Sequence, residues 1–579
     1  AAPTTPLQST LCEIWQSVLG LERVGIHDNF FSIGGDSILA ISLITRQKEH
    51  KVFITIKDLF THQSIYKISQ LTNRHTDRDI LEKNISPFSL ITLDEKKYLK
   101  SKLKSSTIDD AYPLTRLQEG MLFHSIKDAD KSVYHDVFSY DLHETLDYSK
   151  FCRELQNIVE ANEILRTTFF LSGKQPLQIV HKYVNYNVNL TDLSNFPEDE
   201  QIKKIDAFLK LERLQAFDYD KPLWKIFLHR KGEQHFQYTL SFHHALMDGW
   251  SIANFNTQLF SRYKASLKNE NVSSNPIPLP YRFYVTSEID ALNSPEAKNY
   301  WTEKFINTTV PWWTGFLKSE SVSVNIEIPD HLSKKLFSLA KILSVQERTL
   351  LFAAHAGFIA FLNGSFNGVT SYVTNGRPEL SGSEHTLGLF LNSLPLNFSL
   401  RDCSWRQFIE TVNKTLLEDS EYREYPLSNI QQTTGIDFSS SLFNFTNFHI
   451  YEELSEKIEV TGSQAFEETN YAFVSDFTKN DFNQTIYLSV TMDAGIFKEN
   501  LRKNIPQYYI ALFEFLIQNL DNVIDIQSLL TGKGTTTSKT NNSVHVCNNL
   551  NSQCIHERFE AQVHAHPSAI ALVYEDQSM

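Results

Sequence analysis

Residues 235–251 read HFQYTLSFHHALMDGWS, and their pattern gives the strongest indication of the fold. Four apolar side chains alternate with other residues in the first half of this stretch: Phe236, Tyr238, Leu240 and Phe242. A period of two is typical of a β-strand. Continued by one step, the period puts His244 in phase with the apolar residues and His243 on the opposite face. We therefore predict a strand whose end directs one imidazole into an interior cleft.

The histidine pair has two interpretations on this stretch alone. A neutral imidazole can accept or orient the proton of an amine, and its ordinary pKa lies near working pH, so a buried His244 suits acyl transfer. Asp248 and Gly249 predict a tight turn in which the carboxylate folds back against the loop. The alternative is a core histidine whose hydrogen bonds are satisfied within the protein.

The whole HHxxxDG pattern, with Trp250 and Ser251 after it, resembles the condensation-domain superfamily. Further motifs follow in the family's order between Tyr112 and about Leu530. They are 112–115 (YPLT), 118–124 (QEGMLFH), 164–169 (ILRTTF), 373–378 (VTNGRP), 388–395 (GLFLNSLP) and 425–427 (YPL). The resemblance implies an α/β (α+β) domain of two chloramphenicol-acetyltransferase-like lobes in a V shape, with the active site in a tunnel between them.

The same resemblance implies roles for individual residues. His244 would position or deprotonate the attacking amine, and His243 and Gly249 would complete and support the catalytic loop. Asp248 would form a structural ion pair, for which Arg166 is the candidate partner. The chain departs from the family's usual residues at three places: Arg116, Ala161-Asn162 and Phe283.

A second motif, Gly34-Gly35-Asp36-Ser37, precedes the apolar stretch 38–44. A glycine turn followed by a helix start would expose the Ser37 hydroxyl where free N–H groups and the helix dipole favour a phosphodiester. The alternative is that Ser37 or Asp36 is only a helix N-cap. Apolar residues at helical spacing on both sides of the motif predict three or four short helices that form a bundle.

The amino-terminal sequence, about 70 residues, resembles peptidyl carrier proteins of non-ribosomal peptide synthetases. The resemblance is carried by 7–15 (LQSTLCEIW), 18–20 (VLG), 24–31 (VGIHDNFF) and 34–37 (GGDS). It implies a small all-α four-helix bundle with 4'-phosphopantetheine covalently attached to Ser37, flanked by Asp36 and Gly35. The thiol of this cofactor would hold an amino acid or peptide as a thioester.

Shifts in composition predict the domain limits. The polar, charged residues from 73 to 109 indicate a linker, and residues 531–551 are rich in Thr, Asn, Ser and Gly. Beyond them, 555–560 (IHERFE) and 569–574 (AIALVY) look like the opening of an adenylation domain, so we expect a fragment of a longer polypeptide. The predicted segments are a carrier at 1–75, a linker at 76–108, condensation lobes at 109–275 and 276–530, and a linker with a truncated adenylation start at 531–579.

Composition excludes several classes of protein. The net charge of −14 disfavours nucleic acid and anionic lipid as partners. The longest apolar run, 350–362, is too short to span a membrane. Five sparse cysteines fit a reducing compartment, so we expect a cytoplasmic protein. The spacing of His545, Cys547, Cys554 and His556 resembles a metal site, but we predict no metal.

These motifs predict non-ribosomal peptide synthesis, as in the formation of antibiotics and other secondary metabolites. The condensation domain would transfer the donor acyl group from the carrier to the amine of a downstream aminoacyl thioester. The expected partners are a downstream acceptor carrier protein, a phosphopantetheinyl transferase and neighbouring adenylation domains; we expect a monomer. Two alternatives stay open, an epimerisation domain, which shares the HHxxxDG core, and a non-catalytic docking module.

Overall fold

The computed structural model describes residues 1–71, 85–102, 107–127, 133–173, 175–270, 277–306, 308–316, 319–446, 459–480, 484–524, 573–574 and 577–578. The chain divides into two compact units, Ala1–Leu529 and Leu530–Met579.

The amino-terminal residues form a bundle of four α-helices. They are α1 (Pro6–Leu19), α2 (Ser37–Glu49), α3 (Ile56–His62) and α4 (Ile65–Ser69). The first three begin where the side chains of Thr5, Asp36 and Thr55 accept hydrogen bonds from first-turn N–H groups. Their apolar faces bury Trp15 and Phe30, whose rings pack edge to face. The predicted four-helix carrier bundle is confirmed.

Twelve further α-helices lie in the described part of the first unit. They are α5 (Leu93–Lys102), α6 (Arg116–Lys127), α7 (Tyr148–Ala161), α8 (Glu198–Arg213), α9 (Gly249–Leu267), α10 (Arg282–Leu292), α11 (Pro295–Lys304), α12 (Asp330–Ile342), α13 (Glu347–Asn363), α14 (Trp405–Asp419), α15 (Leu427–Thr434) and α16 (Glu499–Gln518). Helix α13 contains the longest apolar run of the sequence and is buried along most of its length. None of the described helices combines the length and apolar character needed to cross a membrane.

Fourteen strands in the described part of this unit form three sheets. They are β1 (Ile108–Pro113), β2 (His135–His143), β3 (Thr167–Phe170), β4 (Leu177–His181), β5 (Val188–Asp192), β6 (Trp224–Gly232), β7 (His235–His243), β8 (Ser321–Glu327), β9 (Asn367–Asn375), β10 (Leu391–Ser399), β11 (Leu442–Thr446), β12 (Glu459–Phe466), β13 (Phe473–Asn480) and β14 (Thr485–Asp493). The strand orders are β1-β4-β3, β12-β2-β7-β6-β5 and β10-β9-β11-β13-β14-β8. The α/β architecture is the predicted one.

The five-stranded sheet contains a strand from the second half of the chain. Strand β12 pairs antiparallel with β2, so that Gln464 lies opposite Ser139. The domain limits predicted from the sequence assign this strand to the segment 276–530, and its partner β2 lies in the segment 109–275. The pairing joins residues more than 300 positions apart, and no local pattern in the sequence indicates it.

In the second unit the described residues form two short strands. Strands β15 (Val573–Tyr574) and β16 (Gln577–Ser578) pair antiparallel. The predicted linker at 531–551 and the spacing around Cys547 and Cys554 lie outside the described residues, as does most of the predicted adenylation opening.

Candidate functional site

Two glycines shape the loop before Ser37. Gly34 has a φ of +103°, a conformation that other residues rarely adopt. A Cβ on Gly35 would lie 2.4 Å from the ring of Phe30, so the loop can approach that ring only without a side chain. The Oδ1 atom of Asp36 accepts two first-turn N–H groups of α2 at 2.8 Å each. Asp36 is thus the N-cap, and Ser37 is the first residue of the helix.

The register of β2 and β7 places the histidine pair. His135 lies opposite His243, and the N–H of His244 donates to the carbonyl of Tyr134 at 2.8 Å. Because side chains alternate between the two faces of a sheet, Asp136 lies on the same face as His244, diagonally across the strand pair.

His243 is held inside the first lobe. Its Nδ1 accepts the N–H of Ala245 at 3.1 Å, so the ring proton resides on Nε2, which donates to Oγ of Ser125 at 2.9 Å. Burial, together with the neighbouring His244 and His135, lowers the pKa of His243 to about 3. A neutral, doubly hydrogen-bonded ring fits the predicted role of supporting the loop.

His244 faces the cavity and contacts a buried carboxylate. Its side chain is 23% exposed, and its Nδ1 lies 2.7 Å from Oδ2 of Asp136, a side chain that is 3% exposed. The geometry is that of a close ion pair rather than of an aligned hydrogen bond. The contact leaves Nε2 as the ring nitrogen that can serve a substrate.

The charge of His244 depends on its acidic neighbours. Burial by itself would lower the pKa of His244, but the carboxylates of Asp136, Glu467 and Asp248, with Asp136 contributing most, together outweigh it and raise the pKa to about 9. The pKa of Glu467 is also raised, by the surrounding protein and by the carboxylates of Asp136 and Asp476. Because the side chain of Glu467 is exposed, hydration reduces this rise in its pKa. His244 is therefore held as an imidazolium near neutral pH.

Asp248 connects residues 244–248, the histidine loop, to the segment before β10. Its N–H donates to the carbonyl of Gly388 at 3.0 Å, and its Oδ2 accepts the N–H of Phe390 at 3.1 Å. Its Oδ1 caps α9 by accepting the N–H of Ser251 at 2.8 Å. The same oxygen lies 3.3 Å from Nη2 of Arg377, and both side chains are almost fully buried. These contacts favour a structural role for Asp248 and leave Gly249 as the first residue of α9.

The predicted pairing of Asp248 with Arg166 is wrong. Arg166 lies at the start of β3, where its Nη1 is 3.0 Å from Oδ2 of Asp109. It also donates to backbone carbonyls of β4 and the residue after it. Asp248 is instead partnered by Arg377, which follows β9 and belongs to a motif for which the sequence predicts no role.

The carrier and the histidine loop line one cavity. Residues 34–36 of the carrier contribute to its wall, as do His244, Asp248 and Glu467. Trp250, which begins α9 together with Gly249, packs with the apolar core of the carrier. The loop before Ser37 and the imidazole of His244 therefore border the same space.

Polar contacts also join the carrier to the part of the first unit that follows it in the chain, which we call the condensation half. Nζ of Lys48 donates to the carbonyl of Glu379 at 2.9 Å. Nζ of Lys57 lies 2.6 Å from Oε1 of Glu421, in a pair whose side chains are 40% and 50% exposed. Helices α2 and α3 thus both carry a lysine that contacts the condensation half.

The three departures from the family pattern have local structural contacts. The N–H of Arg116 donates to the buried Glu288 at 2.9 Å, which gives α6 a partner at its amino end. Asn162 ends helix α7. The guanidinium of Arg282 lies 5.8 Å from the ring centre of its neighbour Phe283.

Sequence reasoning missed three residues near the site: Asp136, Arg377 and Glu467. Asp136 and His244 are 108 positions apart, and only the pairing of β2 with β7 brings them together. Among the described residues, no group of three or more His, Cys, Asp or Glu side chains could hold a metal ion.

The comparisons with known proteins agree with this arrangement. Residues 108–536 match the family model of the condensation domain, and residues 9–72 match that of the phosphopantetheine attachment site. The chain therefore belongs to the condensation-domain family, with a phosphopantetheine-bearing carrier domain before it, the order found in non-ribosomal peptide synthetases. The expected family and covalent cofactor are confirmed, whereas the domain limits stay predictions.

Curated relatives are synthetases. The AMB antimetabolite synthetase AmbE of Pseudomonas aeruginosa is 31% identical over 465 residues, which are 77% of this chain and 21% of the relative. Gramicidin S synthase 2 of Aneurinibacillus migulanus is 26% identical over 503 residues, which are 83% of this chain and 11% of the relative. The chain thus spans a small part of the curated relatives that it matches.

Solved structures share the fold. The condensation domain of the Monacolin K polyketide synthase MokA matches with a TM-score of 0.63 at 14% identity, over 72% of this chain and 99% of that one. The first condensation domain of the calcium-dependent antibiotic synthetase matches with a TM-score of 0.59 at 16% identity, over 72% and 98%. The predicted condensation-domain fold is thereby confirmed.

Proposed function

We propose that this chain forms an amide bond between an acyl group held as a thioester at Ser37 and the α-amine of a downstream aminoacyl thioester. One observation carries the proposal: the same cavity is bordered by residues 34–36 of the carrier and by His244. A thioester is already activated, so holding both reactants in line within such a cavity supplies much of the acceleration.

The start of α2 fits the covalent cofactor. Asp36 occupies the cap position, so Ser37 is not needed as a cap. The positive end of this 13-residue helix favours a phosphodiester at its first residue. When bound at Ser37, 4'-phosphopantetheine supplies a thiol that holds the acyl group as a thioester.

His244 is the residue to which we assign the proton transfer. As the amine nitrogen attacks the carbonyl carbon, a carbon–nitrogen bond forms and the nitrogen's proton passes to Nε2 of His244 in its neutral form, which becomes abundant as pH rises toward about 9. The carbon–sulfur bond then breaks, and the imidazolium gives the proton to the departing sulfur. The products are an amide and a free thiol. His243, Asp248 and Gly249 hold the loop in place.

The relatives suggest the class of product and the partners of this chain. Because two of them are named as synthetases of an antimetabolite and of gramicidin S, we place the product among secondary metabolites such as antibiotics. The proposed partners are an acceptor carrier protein, a phosphopantetheinyl transferase and neighbouring adenylation domains. A monomeric state and a cytoplasmic location stay predictions.

Loading of the carrier is the first test. Treatment with a phosphopantetheinyl transferase and an aminoacyl-coenzyme A should add the mass of one aminoacylated cofactor to the wild-type chain and to Ser32→Ala. Ser32 is an exposed serine of the same loop and serves as the matched control. Ser37→Ala should gain no mass. Equal loading of Ser37→Ala would contradict the attachment site.

Turnover is the second test. With a charged acceptor carrier added, the loaded wild type and His331→Ala should give a dipeptide, because His331 is exposed and lies outside the cavity lining. His244→Ala should lose at least about 100-fold in rate, the contribution of a positioned acid–base group. Inversion of the loaded residue without a dipeptide would point to epimerisation. Loading with neither reaction would point to a docking module.

A further inference from the structure

We infer that Asp136 is a positioning residue for the condensation reaction: it holds the imidazole of His244 at Nδ1 and stabilises its protonated form, so that Nε2 serves the amine. This inference rests on the proposed function, because it gives Asp136 a part in the proton transfer assigned to His244. No sequence motif singles out Asp136; the pairing of β2 with β7 does.

The strand pair fixes both partners. The backbone N–H of His244 donates to the carbonyl of Tyr134, which directly precedes β2 and lies two residues before Asp136. The carboxylate then reaches Nδ1 on the shared face at 2.7 Å. A carboxylate that is 3% exposed is costly to bury without a partner, and His244 is that partner.

Other titratable groups face His244 from the elements packed around it. Asp248, at the start of α9, is engaged by Arg377 at 3.3 Å and by the N–H of Phe390. Glu467, which follows β12, acts on His244 and keeps accessible surface in the cavity. His243, at the end of β7, is neutral. Asp136 is the carboxylate in direct contact with the ring.

The chemistry explains why this contact matters. When Nε2 takes the proton of the amine, the ring becomes an imidazolium beside a carboxylate that is 3% exposed. The fixed carboxylate of Asp136 offsets that charge without reorganisation, which lowers the barrier. When the proton passes on to the sulfur, the ring returns to its neutral form.

The pH dependence has a definite sign. With the pKa of His244 raised to about 9, the neutral imidazole that accepts the proton becomes abundant only as pH rises. The dipeptide rate of the wild type should therefore increase with pH up to about 9. In Asp136→Asn, burial lowers the pKa of His244, so the rising limb moves to lower pH. The plateau rate should fall at least about tenfold.

The decisive experiment is an NMR titration of the His244 ring in the full chain, with its signal identified by its absence in His244→Gln. Asp136→Asn should lower the pKa of His244 by about two units or more, whereas Asp136→Glu, which keeps the charge, should leave it raised. Equal titration of wild type and Asp136→Asn would overturn the inference. This readout needs no turnover.

Two further measurements separate the possible failures. If dipeptide forms but Asp136→Asn leaves the pH profile unchanged, the inference fails and the proposed function stands. If the wild type forms no dipeptide, the proposed function fails, and the titration still reports whether Asp136 controls His244. Should Asp136→Asn not fold, the nitrogen shifts of the neutral wild-type ring decide: a proton on Nδ1 supports the inference, and one on Nε2 overturns it.

Discussion

Two arginine–aspartate pairs of the condensation half differ mainly in their contact with water. Arg377 and Asp248 are 0% and 1% exposed, whereas the carboxylate of Asp109, which pairs with Arg166, is 40% exposed. Loss of Asp248 leaves Arg377 desolvated without a counter-charge, whereas loss of Asp109 removes from Arg166 a carboxylate that is already partly hydrated. The two pairs should therefore respond very differently to the loss of the carboxylate.

We predict that Asp248→Ala destabilises the chain by about 3–5 kcal/mol, because it leaves Arg377 unpaired inside the protein. It also removes the N-cap of α9. Asp109→Ala, the matched control, should cost no more than about 1 kcal/mol. Urea unfolding followed by tryptophan fluorescence measures both. Normal unfolding of Asp248→Ala together with lost activity would show that Asp248 acts in the chemistry instead.

Helix α2 begins at Ser37 because the loop before it can fold closely against Phe30. The N–H of Gly35 donates to the carbonyl of Phe30 at 2.9 Å, and Asp36 then caps the helix. The place of Ser37 at the helix start thus depends on a residue without a side chain two positions earlier.

We predict that Gly35→Ala lowers both carrier stability and loading at Ser37. The added Cβ would meet the ring and carbonyl of Phe30 at 2.4 and 2.6 Å, and such overpacking costs about 1–3 kcal/mol. Gly120→Ala, within α6, meets nothing within 4 Å and should load normally. Intact mass after phosphopantetheinyl transferase treatment gives the loading rate. Equal loading of the two variants would refute this account of the loop.

The histidine loop is likewise set by the elements around it. Strand β7 ends at His243 and helix α9 starts at Gly249. The residues between them are held by hydrogen bonds to the residue before β2 and to the segment before β10. A loop fixed from two sides holds the backbone of His244, and the contact of Nδ1 with Asp136 leaves Nε2 available for chemistry.

In the molecule as a whole, the carrier is placed so that its loop before Ser37 borders the cavity that also contains His244. Trp250 packs with the carrier core, and Asp248 lies two residues before it in the chain. The residue on which the carrier rests is thus adjacent to the loop that carries His244. Docking of the carrier and placement of the site share one structural element, the start of α9.

We predict that reversing one charge of the Lys57–Glu421 pair loosens the docked carrier and speeds the modification of Ser37. Because the pair is exposed, Lys57→Glu or Glu421→Lys should change the rate by about 2- to 5-fold at low salt, and less at high salt. The double reversal should restore the wild-type rate. If the double variant instead shows the two single effects added together, the ion pair makes no contribution to docking.

Local sequence patterns were enough to predict the kind of molecule and to select the two side chains to which we assign its chemistry. The glycine loop before Ser37 and the alternation that ends at His244 are set by backbone sterics and by strand period within a few residues. They therefore predicted the helix start after the glycine turn, the strand and the positions of both side chains in the chain.

The surroundings of those side chains depend instead on how the elements pack. Asp136 reaches His244 through strand pairing, Arg377 rather than Arg166 meets Asp248, and β12 joins a sheet from the other half of the chain. Each of these contacts joins residues more than 100 positions apart. Charged partners of this kind carry no periodic signal, because their choice depends on which buried groups the packed elements bring within contact distance.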